Sequence, residues 1–296
     1  GERIRSSGHG FCGIGRKRLL HILRTRARQL GVDVRAGVET QDRSLDADLI
    51  IACDGINSRT RERYADTFRP DVDLRHCRFV WLGTPRTFDA FTFDFQQTPH
   101  GWVQAHAYKF EEGTSTFIVE MRDEAWYAAG LDRMEKEEGI AWCERLFADV
   151  LEGQPLLSNA AHLRGSAQWL RFPRVVCQRW VHPHGGVDGH CPVVLMGDAA
   201  HTAHFSVGSG TKLALEDAID LARSLQDHGE GKLRQALAAY ERTRGLEVLK
   251  IQSAARNSME WFEHVDRYTA MEAEQFAYSL LTRSQRLSHE NLRVRD

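Results

Sequence analysis

The sequence predicts an α/β fold, α+β overall, in which a parallel sheet carries an inserted antiparallel β domain and the chain ends in helices. Two observations predict the parallel part. Val193-Val194-Leu195-Met196 is a short apolar run closing on Gly197-Asp198-Ala199-Ala200-His201, and Ala47 to Cys53 is a second run closing on Asp54-Gly55. An apolar run that ends in an acidic turn suits a buried strand delivering a carboxylate to the carboxyl edge of a parallel sheet, where such folds bind ligands. The third observation is a change of texture. Segments 76–84, 90–96, 101–110 and 114–121 are rich in Phe, Trp, Thr, Val and Tyr with partial alternation, and Glu111-Glu112-Gly113 reads as a hairpin turn.

Taken in order, Gly8 to Gly15 is glycine-rich but follows no apolar strand, so it reads as a loop entering a helix and not as a dinucleotide fingerprint. That helix, residues 16–30, is expected to bury Leu19, Leu20, Leu23, Ala27 and Leu30 and to stop at Gly31, with Val32 to Val34 a short strand. A helix over 131–150 carries Ile140, Trp142, Cys143, Leu146, Phe147 and Val150, and Gly165 to Trp180 leads back to the first sheet. Behind Gly208-Ser209-Gly210-Thr211-Lys212 a helix places Ala214, Ala218, Leu221, Ala222 and Leu225 on its apolar face. Bare amides at 208–211 then form a small anion-seeking concavity at a helix N-terminus. The tail 231–296 is helical, with Leu233, Leu237, Tyr240, Val248, Leu249 and Ile251 as apolar positions. The expected division is 1–66, 67–172, 173–230 and 231–296, the first and third pieces forming one domain around the inserted sheet.

Composition excludes more than it assigns. A net charge of -2 calls for neither nucleic acid nor an anionic membrane, and six cysteines without a C-x-x-C pair fit a reduced cytoplasmic setting. No apolar stretch approaches the roughly 18–20 residues needed to span a bilayer. His182, His184, His190, His201 and His204 invite a metal reading, but His201-x-x-His204 falls in a strand-to-helix loop with no Glu in motif, so no metal is expected.

The motifs resemble those of FAD-dependent aromatic monooxygenases of the p-hydroxybenzoate hydroxylase fold. Asp54, Gly55, Ser58 and Arg61 match D-G-x-x-S-x-x-R; Gly197 to His201, continuing to Gly208 and Gly210, match the later Gly-Asp motif; Arg16 and Leu19 match R-x-x-L. Phe91 to Asp94, His100 to His106, Gly197 to Asp217 and Leu280 to Arg286 are similar to salicylyl-CoA 5-hydroxylases and anthraniloyl-CoA monooxygenases, some of which carry a second domain like old yellow enzyme. The family's opening βαβ unit with its G-x-G-x-x-G is missing, so the chain is expected to be a fragment truncated at its N-terminus.

The resemblance implies FAD as cofactor, NAD(P)H and O2 as co-substrates, and a flavin hydroperoxide that hydroxylates an aromatic acyl-CoA. It assigns cofactor binding to Arg16, Asp54, Gly55, Ser58, Arg61, Gly197, Asp198, Gly208, Ser209, Gly210 and Thr211. Asp198 would hold the ribityl chain, and the 208–211 amides would stabilise anionic flavin. It places the sheet carrying Trp102, Gln104 and His106 over the flavin ring, and makes these residues, with Phe205, substrate contacts. His204 and Phe205 stand where the family more often has two prolines; His204 is the candidate catalytic residue, holding the ring heteroatom or taking its proton. Plainer readings stand beside these: a tight turn for Gly197-Asp198, a solvated Arg61, a capping His204, and core packing for the aromatics. Hydroxylation of an indole-type metabolite and a non-catalytic subunit are the alternative functions.

Overall fold

The computed structural model describes residues 2–7, 12–158 and 168–285; the expectations for Gly8 to Phe11, Gly165 and Arg286 lie outside these. In chain order the elements are α1 (Arg16–Gln29), β1 (Ile50–Ala52), α2 (Arg59–Arg63), α3 (Ala65–Phe68), β2 (Pro70–Thr84), β3 (Thr92–Thr98), β4 (Gly101–Glu111) and β5 (Thr114–Arg122). There follow α4 (Asp123–Ala128), α5 (Lys136–Leu146), α6 (Ala148–Leu151), β6 (Leu157–Ser158), β7 (Leu170–Cys177), β8 (Val181–Gly185), β9 (Cys191–Leu195), α7 (Gly210–His228), α8 (Leu233–Glu263) and α9 (Ala273–Thr282). Contacts divide the chain into two units. One comprises Gly1–Val38, His76–Phe172 and Val265–Arg267; the other comprises Glu39–Arg75, Pro173–His264 and Tyr268–Asp296.

In the first unit α1 forms over the expected residues and ends at Gly31, whose φ of 81° suits glycine. Its expected burial does not occur. None of its residues is buried, and Leu20, Leu23 and Leu30 are 46%, 44% and 64% exposed. Apolar periodicity decides that a helix forms and which face is apolar, not what covers that face. Val32 to Val34 form no strand either, because Val32 N–H turns back to Ala27 O at 3.0 Å and prolongs the helix cap.

The antiparallel sheet runs in the order β3-β4-β5-β2-β6, with β7 also paired to β2. The hairpin at Glu111 to Gly113 is present, Gly113 taking φ 68°. One sheet face buries Val80, Leu82, Val103, Ala105, Ala107, Phe117, Val119 and Met121 against Trp126, Cys143, Phe147 and Leu151 of the helices. The expected 131–150 helix is instead two pieces. Glu135 and Glu138 make a capping box that starts α5 late, and Phe147, at φ −108° and ψ 23°, leaves helical geometry between α5 and α6.

In the second unit β9 lies between β1, which it pairs in parallel from Ile50↔Val193 to Ala52↔Leu195, and antiparallel β8. Val193, Val194 and Leu195 are wholly buried, as a central strand requires. The run Ala47 to Cys53 contracts to three strand residues, and Ile51 is 44% exposed because β1 is the edge of this sheet among the described residues. Helix α7 buries Leu213, Asp217 and Leu221, while the expected apolar positions Ala218 and Ala222 face out. Helix α8 buries Leu237, Tyr240, Arg244 and Val248 but leaves Leu249 exposed. Thus an acid and a base occupy core phases of neighbouring helices. No described helix is long and apolar enough to cross a membrane.

Candidate functional site

The carboxyl ends of β1 and β9 deliver the two acidic turns to one place. After β1, Asp54 accepts Ser58 Oγ–H at 2.6 Å and Thr60 N–H at 3.0 Å, while Ser58 Oγ accepts Arg61 N–H at 2.9 Å. Asp54 and Ser58 thereby cap α2. Burial alone would raise the Asp54 carboxyl, but the hydrogen bonds from Ser58 and Thr60 outweigh it and hold the group below the usual carboxylate range. Gly55, at φ 80°, makes the turn.

Arg61 is buried, not solvated. Its guanidinium donates to Ile56 O at 2.6 Å in its own turn and to Ala199 O at 3.0 Å and Asp198 O at 3.4 Å in the turn after β9. Its donors are thus used to bind one acidic turn to the other. Arg16, at the start of α1, is exposed and belongs to the first unit.

The turn after β9 is built on Gly197, at φ 61°, where an added Cβ would come within 3.2 Å of Ala214 Cβ. It presents Asp198 with an exposed side chain. Behind it Asp217, fully buried on α7, accepts Gly197 N–H at 3.0 Å, His201 Nε2–H at 2.8 Å and Arg244 Nε–H at 3.0 Å. Burial would raise Asp217, but His201, the Gly197 amide and Arg244 together hold its carboxyl below the usual range. One carboxylate fixes both ends of the Gly197 to His201 turn. The sequence reading missed Asp217 and Arg244, although each stands at a core phase of its helix: Leu213-Asp217-Leu221 and Tyr240-Arg244-Val248.

From His204 the chain makes a 3₁₀ turn over Phe205–Val207, then Gly208 at φ 62° and Ser209, before Gly210 opens α7. The helix's own amide ladder begins with Leu213 N–H to Ser209 O, so the amides of Gly210, Thr211 and Lys212 precede it. An added Cβ at Gly208 or Gly210 would meet nothing within 4 Å, so the backbone there is open to close approach. His204 is buried and caps the 3₁₀ turn: its Nδ1 accepts Ser206 N–H at 3.3 Å, and its ring lies 4.1 Å from that of Phe205.

In the first unit, the sheet face opposite the apolar core is polar and aromatic. Trp102, Gln104 and His106 share that face of β4, as their alternation predicts, with Gln97, Phe95 and Phe93 opposite them on β3. Glu120, opposite Gln104 on β5, joins them, its Oε2 lying 3.2 Å from His106 Nε2. Phe93 meets His106 edge-on at 5.1 Å. Gln104 is 1% exposed, and its Nε2 has no hydrogen-bond partner among the described residues.

Residues 188–254 match the FAD binding domain family. The chain is 41% identical over its whole length to salicyloyl-CoA 5-hydroxylase of a Streptomyces species, of which it spans 56%. It is 35% identical, over 94% of its length and 70% of the relative's, to 3-hydroxy-4-methyl-anthranilyl-(aryl-carrier protein) 5-monooxygenase of Streptosporangium sibiricum. The chain belongs to the FAD-dependent aromatic monooxygenases of the p-hydroxybenzoate hydroxylase fold. Among solved structures, 2-methyl-3-hydroxypyridine-5-carboxylic acid oxygenase shares that fold at 19% identity and a TM-score of 0.60, over 96% of this chain and 73% of its own.

The residues of this monooxygenase chain fit FAD at the Gly-Asp turn. Asp198 offers an exposed carboxylate to hydroxyls, and the open backbone at Gly208 and Gly210 leads to amides that favour negative charge. Arg61 and Asp217 support that turn from behind.

Proposed function

We propose that this chain holds FAD and substrate in an enzyme that uses O2 and NAD(P)H to hydroxylate an aromatic acyl-CoA, salicylyl-CoA or 2-aminobenzoyl-CoA. The observation that carries this reading is the pairing of exposed Asp198 with the helix-entry amides of Gly210 and Thr211 in a chain of this family; of the amides expected to be bare over 208–211, that of Gly208 is instead spent on Phe205 O at 2.9 Å. Bound FAD supplies the activation of O2 and the transfer of one oxygen atom to the ring. Asp198 would bind ribityl hydroxyls, and the amides of Gly210 and Thr211 at the start of α7 would stabilise negative charge on the ring system. The Asp54 to Arg61 turn stiffens the floor of the site; Arg16, in the first unit, keeps only the cofactor role that the family motif implies. Residues 67–172 carry the substrate, 1–66 and 173–230 the cofactor, and 231–296 the supporting helices.

In the first unit Trp102, Gln104 and His106 are the substrate contacts, the Gln104 amide supplying a donor for an oxygen on the aromatic ring, and Phe205 is the substrate contact that the second unit contributes. His204 orients the ring substituent. The cytoplasm is the setting, in keeping with six free cysteines.

Counting hydroxylated product against hydrogen peroxide per nicotinamide oxidised tests this reading. The FAD-loaded protein should couple oxidation to hydroxylation, and His204→Ala should keep FAD and substrate-stimulated oxidation but divert oxygen to peroxide. Unchanged coupling in His204→Ala makes His204 a cap alone. Failure of the wild-type protein to hydroxylate either thioester rejects the proposed activity.

A further inference from the structure

A one-way chain of hydrogen bonds runs from the C-terminal helices to His204. The backbone N–H of Ser206 points at His204 Nδ1 at 3.3 Å, and an amide can only donate, so Nδ1 carries a lone pair and no hydrogen. Ser206 Oγ lies 2.9 Å from the same nitrogen and therefore donates to it. With its own hydrogen committed, Ser206 Oγ accepts from Ser258 Oγ at 2.9 Å. Ser258 Oγ in turn accepts Nε–H of Arg283 at 2.9 Å, and a guanidinium has no acceptor to offer. Fixed donors stand at both ends, so the whole chain has one direction, Arg283 to Ser258 to Ser206 to His204.

The source of the chain is itself held. Arg283 donates from Nη2 to Ser206 O at 2.9 Å and from Nη1 to Leu280 O at 2.5 Å, and its guanidinium lies 5.1 Å over the Phe262 ring. His204, Ser206 and Ser258 are 3%, 5% and 0% exposed, so water does not compete for these bonds. A reversed chain would set Nδ1–H against the Ser206 amide and leave buried donors facing one another.

We infer that Arg283, Ser258 and Ser206 are positioning residues that fix His204 in the tautomer protonated at Nε2, making it a hydrogen-bond donor toward an oxygen on the aromatic substrate and not a proton acceptor. This rests on the proposed role of His204 at the substituted ring. A ring hydroxyl oxygen accepts from Nε2–H. A ring amine, whose lone pair is delocalised into the ring, presents N–H to N–H instead. The site is thereby set for 2-hydroxybenzoyl over 2-aminobenzoyl thioesters, by about tenfold or more in kcat/KM, the scale on which a buried donor without an acceptor discriminates.

Nitrogen-15 NMR of the histidine-labelled, FAD-loaded protein reads the tautomer without reference to activity, with His204→Gln used to assign the signals. The expected spectrum has His204 Nε2 protonated and Nδ1 in the unprotonated range. Ser258→Ala removes the donor that commits the Ser206 hydroxyl hydrogen to Nδ1 while the Ser206 amide still opposes Nδ1–H, so it should admit a minor Nδ1–H population beside the Nε2–H form and lower product per nicotinamide for 2-hydroxybenzoyl-CoA. A wild-type Nδ1–H tautomer overturns the inference whatever the enzyme does. With Nε2–H confirmed, equal kcat/KM for the two thioesters overturns its substrate half while the hydroxylase reading stands. If neither thioester is hydroxylated, the hydroxylase reading falls and takes the substrate half with it, while the tautomer remains decided by the spectrum.

Discussion

The guanidinium of Arg61 donates to Ala199 O at 3.0 Å, so the turn after β1 and the turn after β9 are joined by one buried side chain. Further bonds, to Asp198 O at 3.4 Å and to Ile56 O at 2.6 Å, close the bracket. Arg61→Leu should therefore loosen both turns together. A hydrogen bond from a charged group contributes about 1.5–3 kcal/mol, so a loss of that order in unfolding free energy is expected, with weaker FAD binding. Because the contacts are to carbonyls, the loss of affinity should be nearly independent of salt. A loss that disappears at high ionic strength would mean that Arg61 meets a phosphate instead.

Asp217 should be the most costly single position at the site. Removing one partner of a buried ion pair costs about 3–5 kcal/mol, a large part of the roughly 5–15 kcal/mol by which domains are stable. Asp217→Asn leaves Arg244 without its buried anion and should show such a loss in urea unfolding at neutral pH. The sign of its pH dependence follows from the lowered carboxyl. The contribution is complete above the ordinary Asp value of about 3.9 and is lost as pH falls through the lower folded value. Wild type and Asp217→Asn should therefore converge in stability on acidification. Parallel curves down to full acid denaturation would contradict this.

Two glycines in the same loop system should respond differently to alanine. Gly197 and Gly208 have similar positive φ, 61° and 62°, and left-handed backbone costs a residue with Cβ about 1–2 kcal/mol. Gly197 adds an approach of 3.2 Å to Ala214 Cβ, whereas Gly208 faces open space. Gly197→Ala should be the more destabilising of the two by thermal unfolding. Gly208→Ala should instead weaken FAD more than it weakens the fold, because its Cβ would stand where the cofactor approaches. Equal effects of both variants on both readouts would argue against a ligand at Gly208.

Asp198→Ala should weaken FAD by about 1.5–3 kcal/mol, the range for a hydrogen bond to a charged group, and leave unfolding of the apoprotein nearly unchanged since the side chain is exposed. Flavin fluorescence titration measures the first and urea unfolding the second. An unaltered flavin affinity would reduce Gly197-Asp198 to a tight turn.

The elements legible in the sequence were those whose signal is local. Alternation placed Trp102, Gln104 and His106 on one face, the apolar run gave β9, and Gly31 and Gly113 marked a helix end and a hairpin. Burial on α1 was not legible, because the spacing of Leu19, Leu23 and Leu30 records an apolar face and not its cover. Asp217 escaped notice because its partners, His201 and Arg244, lie 16 and 27 residues away and meet it only through packing of α7. The motif marks Arg61 as a cofactor residue, but its donors go to backbone carbonyls that no spacing rule reveals. Glu120 stood unremarked in an apolar strand until register set it opposite Gln104.

The most direct test of the account is the fate of isotopically labelled O2 with the FAD-loaded protein, NAD(P)H and 2-hydroxybenzoyl-CoA, followed by mass spectrometry of the thioester. The account predicts one labelled oxygen atom on the ring for each nicotinamide oxidised in the coupled reaction. Nicotinamide oxidation with flavin bound, the label recovered wholly in peroxide and water and the ring unchanged, would contradict it.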